Sequence, residues 1–170
     1  MLPFCLRGKD MNTNKPSLCF IKESYFINHS AYINMLDTGD VNKQSKRTHL
    51  CLAIENNTNM FYIPLRNNLG NEIRKFGRIG HSVPSKTRIN AGLDFRYALI
   101  INDASFIEEQ LQIKIPNSQY RKIVSDFESI KNEFNTYLNG FIRAAKKGRI
   151  QVEPLYRVSS LINFIPELNI

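Results

Sequence analysis

The chain has no tryptophan, and its 170 residues include only three cysteines, Cys5, Cys19 and Cys51. None of them forms a CxxC pair and their number is odd, which argues against a disulfide scaffold and for a reducing compartment, the cytoplasm. Histidine is equally scarce. His29, His49 and His81 are scattered without HxxxH or HxC spacing, so no metal ligand set and no cofactor is expected. Glycine-rich dinucleotide fingerprints, a P-loop and a GxSxG elbow are all missing, which sets aside the common nucleotide-dependent enzymes and serine hydrolases. No apolar run approaches the roughly 18 residues a membrane span needs, so no membrane partner is expected. Residues 1–16 have too short an apolar run for a secretory signal and carry Arg7, Lys9 and Asp10. They read as a flexible leader or a start-site ambiguity, with Met11 as the second candidate start. Residues 17–170 then form a single domain.

Acidic residues are in deficit, fifteen against twenty-three Lys and Arg, for a net charge of +8. An excess of that size predicts attraction to a polyanion wherever the charge clusters.

Along the chain, SLCFIKESYFI (17–27) reads as a strand. His29 or Ser30 can cap a short helix through Leu36, and the polar stretch 37–47 reads as a loop. HLCLAI (49–54) and MFYIPL (60–65), joined by the turn-forming ENNTN, predict a β-hairpin. Residues 66–90, punctuated by Gly70, Gly77, Gly80 and Pro84, predict a long functional loop. DFRYALIIN (94–102) is a further strand, and ASFIEEQ starts a helical turn. From Ser118 to Lys147 the apolar residues follow the helical period after the Pro116–Asn117 start signal. Gly148 stops this helix, and Gly140 is the candidate kink. RIQVEPLYRV suggests a last strand, and SSLINFIPEL an apolar tail that docks on the body. Strands in short succession followed by a long helix make an α+β fold.

Between Arg66 and Arg96 stand seven basic residues, Arg66, Arg74, Lys75, Arg78, Lys86, Arg88 and Arg96, against only Glu72 and Asp94. Asn67, Asn68, Ser85 and Thr87 interleave uncharged hydrogen-bonding groups, and His81 lies in the same stretch. This mixture suits irregular RNA, read through phosphates, shape and base edges. Lys43, Lys46, Lys146 and Lys147 extend the candidate track, although dipole compensation explains the last two equally well. RNA carries its own nucleophile, the 2′-hydroxyl, so a protein that holds it in line with phosphorus and stabilises the transition-state charge can cleave it. Arg66 and Lys86 are the expected ligands of the non-bridging oxygens, with Arg47 as a third. Asn67 or Ser85 would orient the 2′-hydroxyl, and Tyr32 or His81 would relay a proton or stack on a base. The products would be a 2′,3′-cyclic phosphate and a 5′-hydroxyl. The same surface would serve a non-catalytic RNA-binding module.

The order of SYFINHSAYINML, KRTHLCLAIENNTNMFYIPLRNN, AGLDFRYALIINDASFI and the long helix resembles the ToxN/TenpN (AbiQ-like) family of type III toxin–antitoxin endoribonucleases. PLRNN and AGLDFR…ALIIND are most similar to the TenpN branch. The resemblance implies a small twisted antiparallel β-barrel of the Kid/MazF type decorated by helices. It also implies metal-independent cleavage of cellular or phage RNA, and inhibition by an antitoxin RNA of pseudoknot repeats within an RNA-bridged hetero-oligomer. Carried over by position, it assigns Tyr32 to the family's early active-site tyrosine and Arg47 to the lysine before the second strand. Where the family reads PLTSPK this chain reads PLRNNL, so Arg66 and Asn67 replace the Thr–Ser pair.

Overall fold

The computed structural model describes residues 15–70 and 79–170. Nearly all of the 1–16 leader, and Arg74, Lys75 and Arg78 of the basic stretch, lie outside the described residues.

Among the described residues, seven strands form one antiparallel sheet: β1 (Ser17–Ile21), β2 (His49–Ala53), β3 (Met60–Arg66), β4 (Gly80–Ser82), β5 (Gly92–Asp94), β6 (Leu99–Ile100) and β7 (Ile107–Glu109). Their order is β4-β5-β3-β2-β1-β7, and β6 pairs with β3 beyond β5. The expected antiparallel α+β architecture is present, but β4 and β7 stand as separate edges, so the sheet is an open, twisted one rather than a closed barrel. The predicted hairpin is its centre, with β2 and β3 paired from His49 opposite Pro64 to Ala53 opposite Met60. Pro64 faces the first residue of β2, where the ladder ends and a missing N–H costs least.

Four helices among the described residues complete the frame: α1 (Glu23–Asn28), α2 (Val41–Ser45), α3 (Asn117–Ser125) and α4 (Phe127–Lys146). Strand alternation sends Phe61 of β3 toward Phe134 of α4, with ring centroids 5.2 Å apart, and Phe95 meets the same ring at 5.6 Å. On the opposite face Pro64, His49 and Leu99 meet Phe26 of α1 and Met35. Both faces of the hairpin are therefore buried, which explains why its strands are apolar throughout rather than alternating.

Several expectations need correction. Residues 23–28 are helical, not strand, and the helix ends before His29, so Tyr32 lies in the loop after α1. The 37–47 loop contains α2, capped by Asp40, whose Oδ1 accepts from the Lys43 N–H at 2.9 Å. The 94–102 strand is split by a 3-10 turn at Phe95–Tyr97. The long helix breaks at Asp126, not at Gly140. Gly140 instead admits the Tyr156 ring, which occupies the space a Cβ would need. The expected last strand at 149–158 is a 3-10 turn at Ile150–Val152 followed by irregular chain. The tail does dock: Leu161 and Phe164 are fully buried, and Ser160 Oγ and Asn163 Nδ2 donate to the carbonyls of Asn34 and Ile33 at 2.6 and 2.7 Å.

Gly80 is a required glycine, because a Cβ there would run into the backbone carbonyl of Leu93 on the adjacent strand. Gly80→Ala is expected to cost about 1–3 kcal/mol through overpacking. Denaturant unfolding measures this, and an unchanged midpoint would show that β4 can shift freely.

Candidate nucleic-acid interface

A groove of about 530 Å³ opens where the chain enters β2 and leaves β3. Four pieces of chain line it. The α2 region supplies Asp40, Asn42, Lys43, Lys46 and Arg47, and the hairpin base supplies Thr48, Leu65 and Asn67. Arg88 comes from the β4–β5 connection, and Lys114, Ile115, Pro116 and Gln119 from the lead into α3. Among the described residues, five cations thus face one carboxylate, Asp40, which the helix cap already engages. The field in such a cleft favours a phosphodiester chain.

Two of the five cations, Arg47 and Lys43, are anchored by side-chain partners. Arg47 donates from Nη2 and Nε to Asp37 Oδ2 at 2.6 and 3.2 Å, and from Nη1 to the Leu65 carbonyl at 3.2 Å. These bonds engage three of its five N–H groups and leave two for a ligand. Lys43 Nζ lies 2.9 Å from Asp37 Oδ1. Thr48 Oγ1 accepts from Gln110 Nε2 at 2.9 Å, which leaves its own O–H to donate. Arg88 projects from a tight turn in which Ser85 and Arg88 exchange backbone hydrogen bonds at 3.1 and 3.2 Å. Gln119 fastens that connection to α3 by donating to the Val83 carbonyl at 2.7 Å.

The structure therefore gathers Lys43, Lys46, Arg47, Asn67 and Arg88 of the expected residues, and places the others that it describes elsewhere. Arg66 and Arg96 converge on Asp94, which is fully buried: Arg66 Nη1 reaches Oδ2 at 2.8 Å, while Arg96 spans both oxygens at 3.0 Å. Their charge is consumed by the fold. His81 sits between Glu133 and Asp126 at 2.7 and 2.8 Å and ties β4 to the break between α3 and α4. Burial works against the Asp126 charge, but hydrogen bonds from Lys122, His81 and Ser125 outweigh it and hold the carboxyl down to about 2. Tyr32 stacks between His29 and Phe164, at 4.8 and 5.5 Å, outside the groove. Burial and then the Glu167 charge push its phenol up, which makes it a poor proton relay. Ser85 Oγ is buried, without a hydrogen-bond partner, and does not line the groove; Lys86 and Thr87 are exposed beside it. Asn68 accepts from the Gly70 N–H at 2.8 Å as a turn residue, and Lys146 and Lys147 lie at the far end of α4.

Sequence reasoning missed Lys114, Thr48, Gln110 and Gln119. Only Lys114, a lone cation just before Pro116, carried any signal. Among the described residues no three His, Cys, Asp or Glu side chains converge to hold a metal ion, and no helix is long and apolar enough to cross a membrane.

By sequence, no family model and no curated protein matches this chain. By structure, the fold is that of the toxins of type III toxin–antitoxin systems. One solved neighbour is the toxin ToxN of a bacterial system in which a non-coding RNA pseudoknot selectively inhibits the toxin. It has a TM-score of 0.54 at 11% identity, over 72% of this chain and 77% of that one. Another is AbiQ, a lactococcal anti-phage endoribonuclease of the type III class, with a TM-score of 0.54 at 16% identity over 77% of this chain and 82% of its own. At these identities the likeness is one of fold.

Behind the groove, His49 is fully buried and its Nδ1–H donates to the Arg47 carbonyl at 3.0 Å. Burial pushes its imidazolium down to about 4; the Arg47 charge adds to this, while the bond to the carbonyl opposes it. The unfolded chain takes up this proton near pH 6.5, before the folded one can. The neutral ring's contribution is thus complete above pH 6.5 and is lost as pH falls toward 4. About 3 kcal/mol of stability should disappear over that window. Thermal unfolding at pH 7 and pH 4.5 tests this, with His49→Asn expected to remove that part of the pH dependence.

Proposed function

We propose that this chain is the endoribonuclease toxin of a type III toxin–antitoxin system, of the TenpN branch, acting in the cytoplasm on cellular or phage RNA. One observation carries the reading: a five-cation groove with a preorganised arginine, on a fold shared with ToxN and AbiQ. Arg47 and Lys43 bind the non-bridging oxygens of the scissile phosphate, while Lys46, Arg88 and Lys114 hold the flanking phosphates. Thr48 and Asn67 orient the 2′-hydroxyl for in-line attack. The reaction needs no metal and leaves a 2′,3′-cyclic phosphate and a 5′-hydroxyl. The inhibitor is an antitoxin RNA of pseudoknot repeats, which bridges toxin copies and follows the same track.

No histidine lines the groove, and this favours the second reading, a non-catalytic RNA-binding module. One experiment separates the two. Purified protein is incubated with total cellular RNA in EDTA beside a Lys46→Ala/Arg88→Ala double variant. Discrete fragments with cyclic-phosphate ends, at least about tenfold fewer in the variant, support the nuclease. Intact RNA that is bound in a salt-dependent way, with a salt slope about two units shallower in the variant, supports the binding module. Arg66→Ala behaves differently: it removes one partner of the buried Asp94 and should cost about 2 kcal/mol of stability without removing a groove cation.

A further inference from the structure

We infer that Asp37 is a positioning residue of the groove: its carboxylate locks Lys43 and Arg47 into one two-cation receptor for the scissile phosphate. This inference rests on the nuclease reading and deepens it.

Asp37 is not itself in the groove lining but stands behind it, in the wall shared with a small enclosed cavity of about 20 Å³. Its two oxygens are divided between the two cations. Oδ1 takes Lys43 at 2.9 Å, and Oδ2 takes Arg47 from both Nη2 and Nε at 2.6 and 3.2 Å. The Asp37 side chain is only 12% exposed and that of Arg47 16%, while Lys43 is 61% exposed. The pair is therefore anchored from beneath and open from above. Burial raises the cost of the carboxylate charge, yet the bonds from Arg47 and Lys43 outweigh it and keep the carboxyl below the usual carboxylate range. It stays ionised wherever RNA cleavage would be assayed.

Two further features suit positioning rather than simple charge balance. Asp37 has φ +53, a left-handed backbone that an L residue adopts at some cost. The chain turns there so that the side chain points back at α2. Arg47 is also fixed from a second direction by the Leu65 carbonyl, so its guanidinium has one orientation. An arginine held at three of its N–H groups presents the remaining two to a phosphate without reorganisation.

The test turns on opposite signs. Removing an acidic group beside a polyanion site should tighten RNA binding by simple electrostatics. Loss of positioning should slow cleavage regardless. Asp37→Asn and Asp37→Gly are compared with the intact chain, on a cleavable RNA for kcat and KM and on its 2′-O-methyl analogue for Kd. Asparagine tolerates φ +53 as aspartate does and glycine adopts it without strain, so neither variant is disfavoured by the backbone there. The expected result is a kcat lower by about tenfold to a hundredfold, with KM and Kd unchanged or lower. Arg47→Lys, which cannot engage both Asp37 and the Leu65 carbonyl, should reproduce the loss. Combining it with Asp37→Asn should add little further. An unchanged kcat in both Asp37 variants overturns the inference while leaving the nuclease intact. A weaker Kd with unchanged kcat overturns it too, making Asp37 a structural residue only. Failure of the unaltered chain to cleave overturns the nuclease reading first, and this inference with it.

Discussion

Five residue pairs lock β2 to β3, beginning with His49 opposite Pro64, and the base of the groove is placed by that register. Because the strands run antiparallel, the residues just before His49 must lie beside those just after Pro64. Arg47 and Thr48 are thereby delivered to Leu65 and Asn67, although about twenty positions of chain separate them. The Leu65 N–H donates to the Thr48 carbonyl at 2.9 Å and extends the ladder by one more bond. The Arg47 guanidinium then caps it on the Leu65 carbonyl. A one-residue slip would turn His49 and Leu50 to opposite faces, exposing one buried set and withdrawing Arg47 from the groove. Burial on both faces makes such a slip prohibitively costly, so the stability of the core and the geometry of the groove are one constraint.

Charge is then allocated between structure and surface. The densest run of basic residues, 66–96, looks like the RNA site when charges are counted along the chain. The fold withdraws Arg66 and Arg96 by aiming both at Asp94, a carboxylate with no exposure that would be costly unpaired. His81 is drawn to Asp126 and Glu133 in the same way. The groove is assembled instead from cations spread over residues 43 to 114, with acids kept below the surface or spent on a helix cap. Formal charge locates a binding face only after the internal acids have been matched with their partners.

The elements legible in the sequence were those with local causes. The hairpin follows from two β-prone runs around ENNTN, the start of α3 from Pro116, and the docked tail from its apolar residues. The break at Asp126 was hidden because Ile123, Phe127 and Ile130 keep the helical period across it. The residue at the break carries a side chain bonded to His81, forty-five positions away. Tyr32 was misplaced for a similar reason: its spacing with Ile33 and Leu36 fits a helix, but the aromatic ring is claimed by His29 and Phe164. Arg47, Lys46 and Lys43 were found because they lie close together just before a recognisable strand. Lys114 and Gln119 in the groove, and Gln110 behind Thr48, could not be, since their positions depend on how β7 and α3 close over the hairpin.

The helix that carries two of the groove's lining residues, Asn42 and Lys43, has only five residues, far too short to hold itself together. Its position rests on tertiary bonds: Asp40 at its cap, Gln44 Nε2 on the Leu36 carbonyl at 2.8 Å, and the Asp37 bridge. Each of these ties it to the loop immediately before it, so α2 and that loop form a small unit set against the rigid hairpin. Such a unit can open at less cost than the sheet it rests on. On the proposed reading, a phosphate backbone that matches the two cations held by Asp37 would add bonds across the same boundary and close the unit onto β3. A ligand that fails to match leaves it free to open. Discrimination between RNA shapes can then arise from how well the phosphates complete a wall that the hairpin alone does not fix, without any base being read directly.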